Sequence, residues 1–520
     1  MTSKYDKICV DILSKNGPLL GNEFIRKIAK RVNVKNDNAR KIVQRQSEKA
    51  NFKDTGKVKF KNNQKIYYLP YHDLTAKLKK IMPDQSKIRY RIVQAIIEEK
   101  GFLLWTEFSK ICSGVINNSA SKKKTVHEIF NDLYLLEIVQ KGISNSGISY
   151  VYATEKWYPS KKSLANKVED RIHKLSLARK LTEDLIRWLE KMNISAWKGA
   201  EISSFINIDQ DFNGFYFDAY SMTYLYGYYQ NFGSLNNKKG SPVLIESILH
   251  RNAKKHDITG FISRFENVVG PTKKKKPMKI LPICFVDTLE KDAFSLAKEK
   301  GILVIKLSDV FGVKLSQAIT ELQSISIENV SENITKFAGI LDKIEDTTRD
   351  GGFGNLRGIV FNFIIASIFQ NSGKPVLIEK EFGKKGSKQC EIDIFYEDPD
   401  KVIICEVKGY LNGKEVQLGK NSNDKDSIKR FFERSYKIVK DEIIQEKQIV
   451  PVFITTGSFS EEAEVYLEKE NNSKKTNRLL KESNFPSSVY YDREKLLEYL
   501  KLDTHKNTYK SHREVIKKYF

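Results

Sequence analysis

The chain has 520 residues, too many for one ordinary domain, so three or four folded units are expected. Hydrophobic residues at 40% and aromatics at 11% suffice for packed cores, while 12 prolines and 28 glycines leave little room for long disordered tracts. The formal net charge of +24 asks for a polyanionic partner, because each Lys or Arg set against a phosphate releases counterions; a solubilising basic surface is the other reading. Cys9, Cys112, Cys284, Cys390 and Cys405 are scattered, with no CxxC pair and no His in ligand spacing. They read as buried thiols of a reducing compartment, which excludes a disulfide frame and a zinc site. The opening MTSKYDKICVDILSKNG lacks a signal peptide's apolar stretch, and the longest apolar run, around Ile359–Phe369, is interrupted and too short to cross a membrane. A soluble, cytoplasmic protein without a membrane partner is expected.

Residues 1–78 begin with an apolar-periodic helix (Ile8, Ile12, Leu13) ending at Asn16-Gly17, followed by NEFIRKIAKRV, NDNARKIVQRQSEK and a hairpin with a basic turn, KDTGKVKFKNNQKIYYLP. Residues 85–158 repeat the plan: RYRIVQAIIEEKG, WTEFSKICSG, SASKKKTVHEIFNDLYLL and the hairpin EIVQKGISNSGISYVYAT. Three helices and a hairpin in this order resemble a winged helix-turn-helix domain, and that resemblance implies a third helix in the major groove and a wing on phosphates. Residues 1–160 hold 30 Lys and Arg against 15 Asp and Glu, the surplus a double-stranded-DNA-reading module carries. The expected contacts are Asn38, Arg40, Lys41, Gln44 and Arg45 with wing lysines Lys57 and Lys59, then Ser121, Lys122, Lys123, Lys124 and His127 in the second copy. Arg and Gln suit base edges and lysines suit phosphate. Use of these modules for protein contacts, above all the second, is the alternative.

A charged helix from Lys161 to Met192, within a connecting segment 160–197, reads as a connector, and its His173 as a solvated or packing residue. Residues 198–325 read as α/β: PVLIESIL, then ILPICFV, the helix KDAFSLAKEKG and ILVIKL, a strand–helix–strand crossover with a parallel pair. The basic run at Lys273–Lys276 reads as a solvated loop that grazes DNA.

Residues 345–520 carry the chemistry. Their order is helix (NLRGIVFNFIIASIFQNSG), three strands (PVLIEKEF, CEIDIFY, KVIICEVKGY), helix, strand, helix, strand. Alternation puts Asp393 beside Glu391 on one strand face and Glu406 beside Lys408 on the next, with a turn at Glu397-Asp398-Pro399-Asp400 that makes the two strands a hairpin. Two converging carboxylates need a cation between them, and hard oxygen donors without His select Mg²⁺ or Mn²⁺. Lys408 then positions water or stabilises charge on a phosphate. A surface ion pair of Glu406 with Lys408 is the bland alternative.

The D-x12-ExK spacing, flanking apolar residues, preceding amphipathic helix and following glycine (EVKG) resemble the PD-(D/E)XK nuclease superfamily, with Asp393, Glu406 and Lys408 in its motif places. The resemblance covers about 140 residues and implies a restriction-endonuclease-like α/β/α core with a mixed sheet, in a chain that is otherwise multidomain α/β plus winged helix. Ile392 stands where the family's proline is, and Asn362 where many relatives carry a helix Glu, which leads to one metal per site; Glu391, or Glu379 and Glu381, are the compensating candidates. Arg430, Arg434 and Lys437 on the following helix are expected to touch the DNA backbone. The layout implies a site-specific, Mg²⁺-dependent restriction or anti-phage endonuclease, for which double-strand cleavage needs a homodimer or a second encounter. A DNA-binding regulator with a vestigial nuclease fold and a structure-specific repair or RNA nuclease are the rivals. Asp218 and Glu246 echo the motif in the central segment, but Ile248 occupies the lysine place, so that copy reads as non-catalytic unless Lys254 or Lys255 migrates in.

Overall fold

A computed structural model describes residues 4–47, 52–116, 123–159, 164–204, 212–225, 228, 230–231, 238–269, 279–325, 330, 332–345, 354–374, 376–383, 389–410, 414–424, 427–443, 447–473, 480, 485–502 and 507–520. The architecture is mixed α/β, and the chain divides into two compact units. The first holds Met1–Val168, Asp211–Tyr216 and Lys255–Gly270; the second holds Glu169–Gln210, Phe217–Lys254 and Pro271–Phe520. The basic run at Lys273–Lys276 lies outside the described residues.

In the first unit, helices Lys4–Asn16, Gly21–Val32 and Asn36–Ser47 enclose Cys9, Leu13, Phe24, Ile28, Ala39 and Val43. A small sheet places Ile66–Tyr68 between Leu19–Leu20 and Lys53–Asp54. The plan recurs in Lys87–Glu98, Phe102–Leu104, Trp105–Cys112, Val126–Leu135 and the hairpin Val139–Ile143 with Ser149–Ala153, where the sheet order is again first, third, second. The last helix of this second copy starts later than the sequence suggested. Thr125 and Glu128 close a reciprocal cap, Glu128 N–H donating to Thr125 Oγ1 at 3.1 Å and Thr125 N–H to Glu128 Oε2 at 2.7 Å, so Lys123 and Lys124 precede the helix.

The helix Lys255–Val269 belongs to this first unit although it lies within residues 198–325 in sequence. It packs on the second copy through Arg91, which reaches Ser263 Oγ at 3.1 Å, and Ser113, which donates to Gly260 O at 2.9 Å. A Cβ on Gly260 would stand 2.7 Å from Lys110 O, so only glycine allows the approach.

The second unit has two five-stranded sheets of the same design. In one, Glu201–Ile202, Ala219–Thr223, Ser241–Ile248, Leu281–Val286 and Leu303–Lys306 pair antiparallel, antiparallel, parallel, parallel. In the other, Leu377–Phe382, Cys390–Glu397, Lys401–Lys408, Gln448–Thr455 and Tyr490–Tyr491 follow the same sequence of senses. The central strands are nearly continuous apolar runs because both faces are covered.

The helix Leu164–Lys191, expected as a connector, is instead a core element: Leu177, Leu181, Leu185 and Leu189 recur every fourth residue and are buried in the second unit. His173 on the same helix is a packing residue, buried edge-on against Phe363 with ring centroids 4.9 Å apart. Burial pushes its pKa down to about 4, and burial does the same to His512, which shares a 2.7 Å hydrogen bond with Ser367. A histidine that protonates less readily when folded stabilises above its unfolded pKa and loses that contribution as pH falls from about 6.5 towards 4. Each is expected to cost about 2–3 kcal/mol by pH 4.5. Asp184, pushed up to about 7 by burial, works oppositely and favours the fold as pH drops through that value. Urea unfolding of wild type and His173→Phe at pH 7.5 and 4.5 isolates the histidine share; equal pH slopes for the two proteins would refute it.

Candidate metal centre

The hairpin that carries the acids is set by its turn. Asp398 Oδ1 accepts the N–H groups of Asp400 (3.1 Å) and Lys401 (2.7 Å), which reverses the chain at the predicted place. The register ends with Ile394 opposite Cys405, and just beyond it the Asp393 side chain accepts the Val407 N–H, which sets Asp393 beside the Glu406–Lys408 stretch. Ile392, Ile394, Cys405 and Val407 are buried on the faces opposite the acids, which fixes the orientation of all four charged positions.

Asp393 is held by two donors. Val407 N–H gives a 2.8 Å bond to Oδ2, and Asn362 Nδ2, from the helix Gly354–Asn371, gives a 3.3 Å bond to Oδ1. The carboxylate accepts only donors, so it turns the Asn362 amide nitrogen inwards and leaves Asn362 Oδ1 buried without a hydrogen-bond partner. Lys408 Nζ lies 2.6 Å from Glu406 Oε1. The glycine after Lys408 is dictated by packing: a Cβ on Gly409 would sit 2.6 Å from Phe361 Cβ and 3.0 Å from Phe520.

The remaining acids of this face meet cations from the helix Leu164–Lys191. Lys180 Nζ is 2.6 Å from Glu379, 3.0 Å from Glu391 and 3.8 Å from Asp393. Arg179 pairs with Glu381 and stands 3.8 Å from Glu391, and Ser176 hydrogen-bonds Glu379. Burial alone lowers a lysine's pKa, but Glu379, Glu391 and Asp393 together hold Lys180 well above its ordinary value. Burial pushes the Glu379 and Glu381 carboxyls up, against Lys180 and Arg179 respectively, whereas at Glu391 the pull of Lys180 and Arg179 overcomes burial and holds the carboxyl down. Reasoning along the sequence missed Arg179 and Lys180; the leucine spacing around them was the available signal that this helix is buried.

Among the described residues no three His, Cys, Asp or Glu side chains are arranged as metal ligands, and the acids of this face pair with Lys180, Arg179 and Lys408. The donor types nevertheless fit a hard cation: Asp393, Glu406 and the unpartnered Asn362 Oδ1 are all oxygens, and no His or zinc-type cluster competes.

The central sheet reproduces part of this geometry. Asp218, one step beyond the Ala219–Ile245 pair, accepts Ser247 N–H at 2.6 Å, the counterpart of the Asp393–Val407 bond, and Ile248 is buried in the place of Lys408.

The expected DNA contacts divide. Asn38, Arg40, Lys41, Gln44 and Arg45 are all exposed on one helix that buries Ala39, Val43 and Gln46, and Lys57 and Lys59 are exposed on the adjoining turn. Ser121 and Lys122 lie outside the described residues. Lys123 and Lys124 precede the Val126–Leu135 helix: Lys123 hydrogen-bonds Asn267 Oδ1 at 2.5 Å, and Lys124 pairs with Asp132. His127 is exposed and its ring lies tilted against Trp105, centroids 5.0 Å apart. Arg430 and Arg434 are half-buried on a π-helical turn, Arg430–Ser435, that leads into Tyr436–Glu442, with Arg434 reaching Asn423 Oδ1 at 3.3 Å. Burial and nearby Glu406 raise the Cys390 thiol to about 12 while Arg434 opposes them, so both charged groups act near this strand.

No family model, curated protein or solved structure matches the chain. No described helix is long and apolar enough to cross a membrane.

Proposed function

We propose that the chain is a divalent-metal-dependent DNA endonuclease with Asp393, Glu406 and Lys408 as its cutting centre. The observation that carries this reading is Asp393, fixed by Asn362 and Val407 N–H, beside the Glu406–Lys408 pair on the neighbouring strand. Asp393, Glu406 and Asn362 Oδ1 are the donors for Mg²⁺ or Mn²⁺. Such an ion, when bound, supplies Lewis-acid polarisation of a phosphodiester and a water of lowered pKa. Asn362 and Val407 orient the Asp393 carboxylate. Lys408 holds an ammonium beside Glu406, where it stabilises negative charge on a phosphate oxygen.

The resemblance to PD-(D/E)XK nucleases is supported by the order of helices and strands around this site. The winged-helix reading is supported by the repeated helix–strand–helix–helix–hairpin plan and the exposed basic helix Asn36–Ser47. That helix is the DNA-reading element; the second copy, covered by Lys255–Val269, serves chiefly protein packing. The central sheet is a non-catalytic copy that braces the cutting domain.

Nicking of supercoiled plasmid with Mg²⁺ and its abolition by EDTA test the reading. Lys408→Ala is expected to slow nicking about 10²-fold or more while duplex binding persists. Retained DNA binding with no cutting under any divalent ion would instead make the chain a DNA-binding regulator. Sequenced product ends distinguish site-specific restriction (a fixed offset) from repair-type cutting (scattered ends), and a branched-DNA and RNA panel separates the remaining rivals.

A further inference from the structure

The acidic face carries more carboxylates than one ion needs, and they are not equivalent. Asp393 belongs to two groupings along it. On one side are Glu406 and Asn362; on the other are Glu379 and Glu391, with Lys180 Nζ between them. Two-metal phosphodiesterase sites set two cations side by side to hold the attacking and leaving oxygens. Here Lys180 Nζ stands among Glu379, Glu391 and Asp393.

Three observations show that this ammonium is built in. Ser176, Arg179 and Lys180 are spaced i, i+3, i+4, so one helix face presents all three donors to Glu379, Glu381 and Glu391. The helix cannot turn away, because Leu177, Leu181 and Leu185 anchor its other side in the core. Glu379 adopts φ +58°, a left-handed conformation that costs an L-residue roughly 1–2 kcal/mol, within a strand whose residues Ile378 and Lys380 on either side remain paired. That local distortion accompanies the short Glu379–Lys180 contact, as expected of a backbone bent for a site.

We propose that Lys180 is a fixed cation of the active site, standing where a second divalent ion would bind and limiting the centre to one exchangeable ion. The proposal rests on the metal-dependent reading above. It makes Lys180 a positioning residue: it neutralises Glu379 and Glu391 and leaves Asp393 and Glu406 to a single ion.

The test is the number of Mn²⁺ ions bound per full-length chain, read from the electron-paramagnetic signal of free Mn²⁺ during titration. Wild type is expected to bind one, Lys180→Gln two, and Lys180→Arg one again. One ion in Lys180→Gln, or two in wild type, overturns the proposal while leaving the metal-dependent reading intact. No ion in wild type overturns both. Circular dichroism is recorded alongside. A Lys180→Gln chain that folds only when Mn²⁺ is present supports the proposal, because the ion then replaces the ammonium. If neither Lys180→Gln nor Lys180→Met folds with or without Mn²⁺, Lys180 is a structural counter-ion and the proposal is overturned.

Discussion

Asp393→Asn is expected to reduce plasmid nicking by at least ~10²–10³-fold while leaving the fold intact. Asp393 is tied to the structure by two hydrogen bonds, from Val407 N–H and Asn362 Nδ2. An amide at this position keeps an acceptor for Val407. Its own N–H group faces Asn362, whose amide need only rotate to offer Oδ1, an atom that has no hydrogen-bond partner as it stands. Lys180 keeps Glu379 and Glu391, so no buried ammonium is left alone. The stability change should therefore stay within about 1–2 kcal/mol. What is lost is the negative charge shared between the two cation places. Asp393→Ala differs in kind, since it leaves Val407 N–H unsatisfied and costs about 1–3 kcal/mol of stability as well. Nicking rates at saturating Mg²⁺, set beside urea midpoints, separate the two substitutions. Undiminished cutting by Asp393→Asn would remove the C-terminal hairpin from the chemistry.

The parts of this site that could be read from the sequence were those set by local rules. Strand alternation placed Asp393 with Glu391 and Glu406 with Lys408, and the Asp398 turn made their strands a hairpin. The repeated helix and hairpin plan of residues 1–155 was likewise visible, because apolar periodicity and turn residues act over a few positions. Lys180 was hidden for the opposite reason. It lies about 200 positions before Glu379, and nothing local to SLARKL says which acids it will meet. Its pairing is decided by the packing of the Leu164–Lys191 helix, in which charged residues at the edge of a leucine stripe look the same whether they face water or carboxylates. The start of the Val126–Leu135 helix is set by a local signal. The Thr125-x-x-Glu128 cap was present in the sequence, but the lysine run before it suggested a continuous basic helix.

The largest expected effect on stability in the first unit falls on the partner of Lys124, Asp132. Asp132 is buried and accepts from both Arg89 and Lys124, while Arg89, also buried, donates to Lys59 O at 2.9 Å and lies 5.4 Å from the Phe60 ring. Arg89 therefore links the first copy's turn to the second copy's last helix, with Asp132 as its counter-charge. Asp132→Ala would leave the guanidinium buried with one neutral acceptor, and breaking such a pair from one side costs about 3–5 kcal/mol. Lys124 is different because its side chain is half exposed, at 52%, so Lys124→Ala should cost well under 1 kcal/mol. If Lys124 instead served DNA directly, its removal would lower the salt dependence of duplex binding by about one counterion. Engagement with Asp132 predicts no such change, whereas Lys41→Ala and Arg45→Ala on the exposed helix should each reduce that slope. Denaturant midpoints for Asp132→Ala and salt-dependent duplex titrations for the three cationic variants decide between a packing role and a DNA-contact role for the second copy.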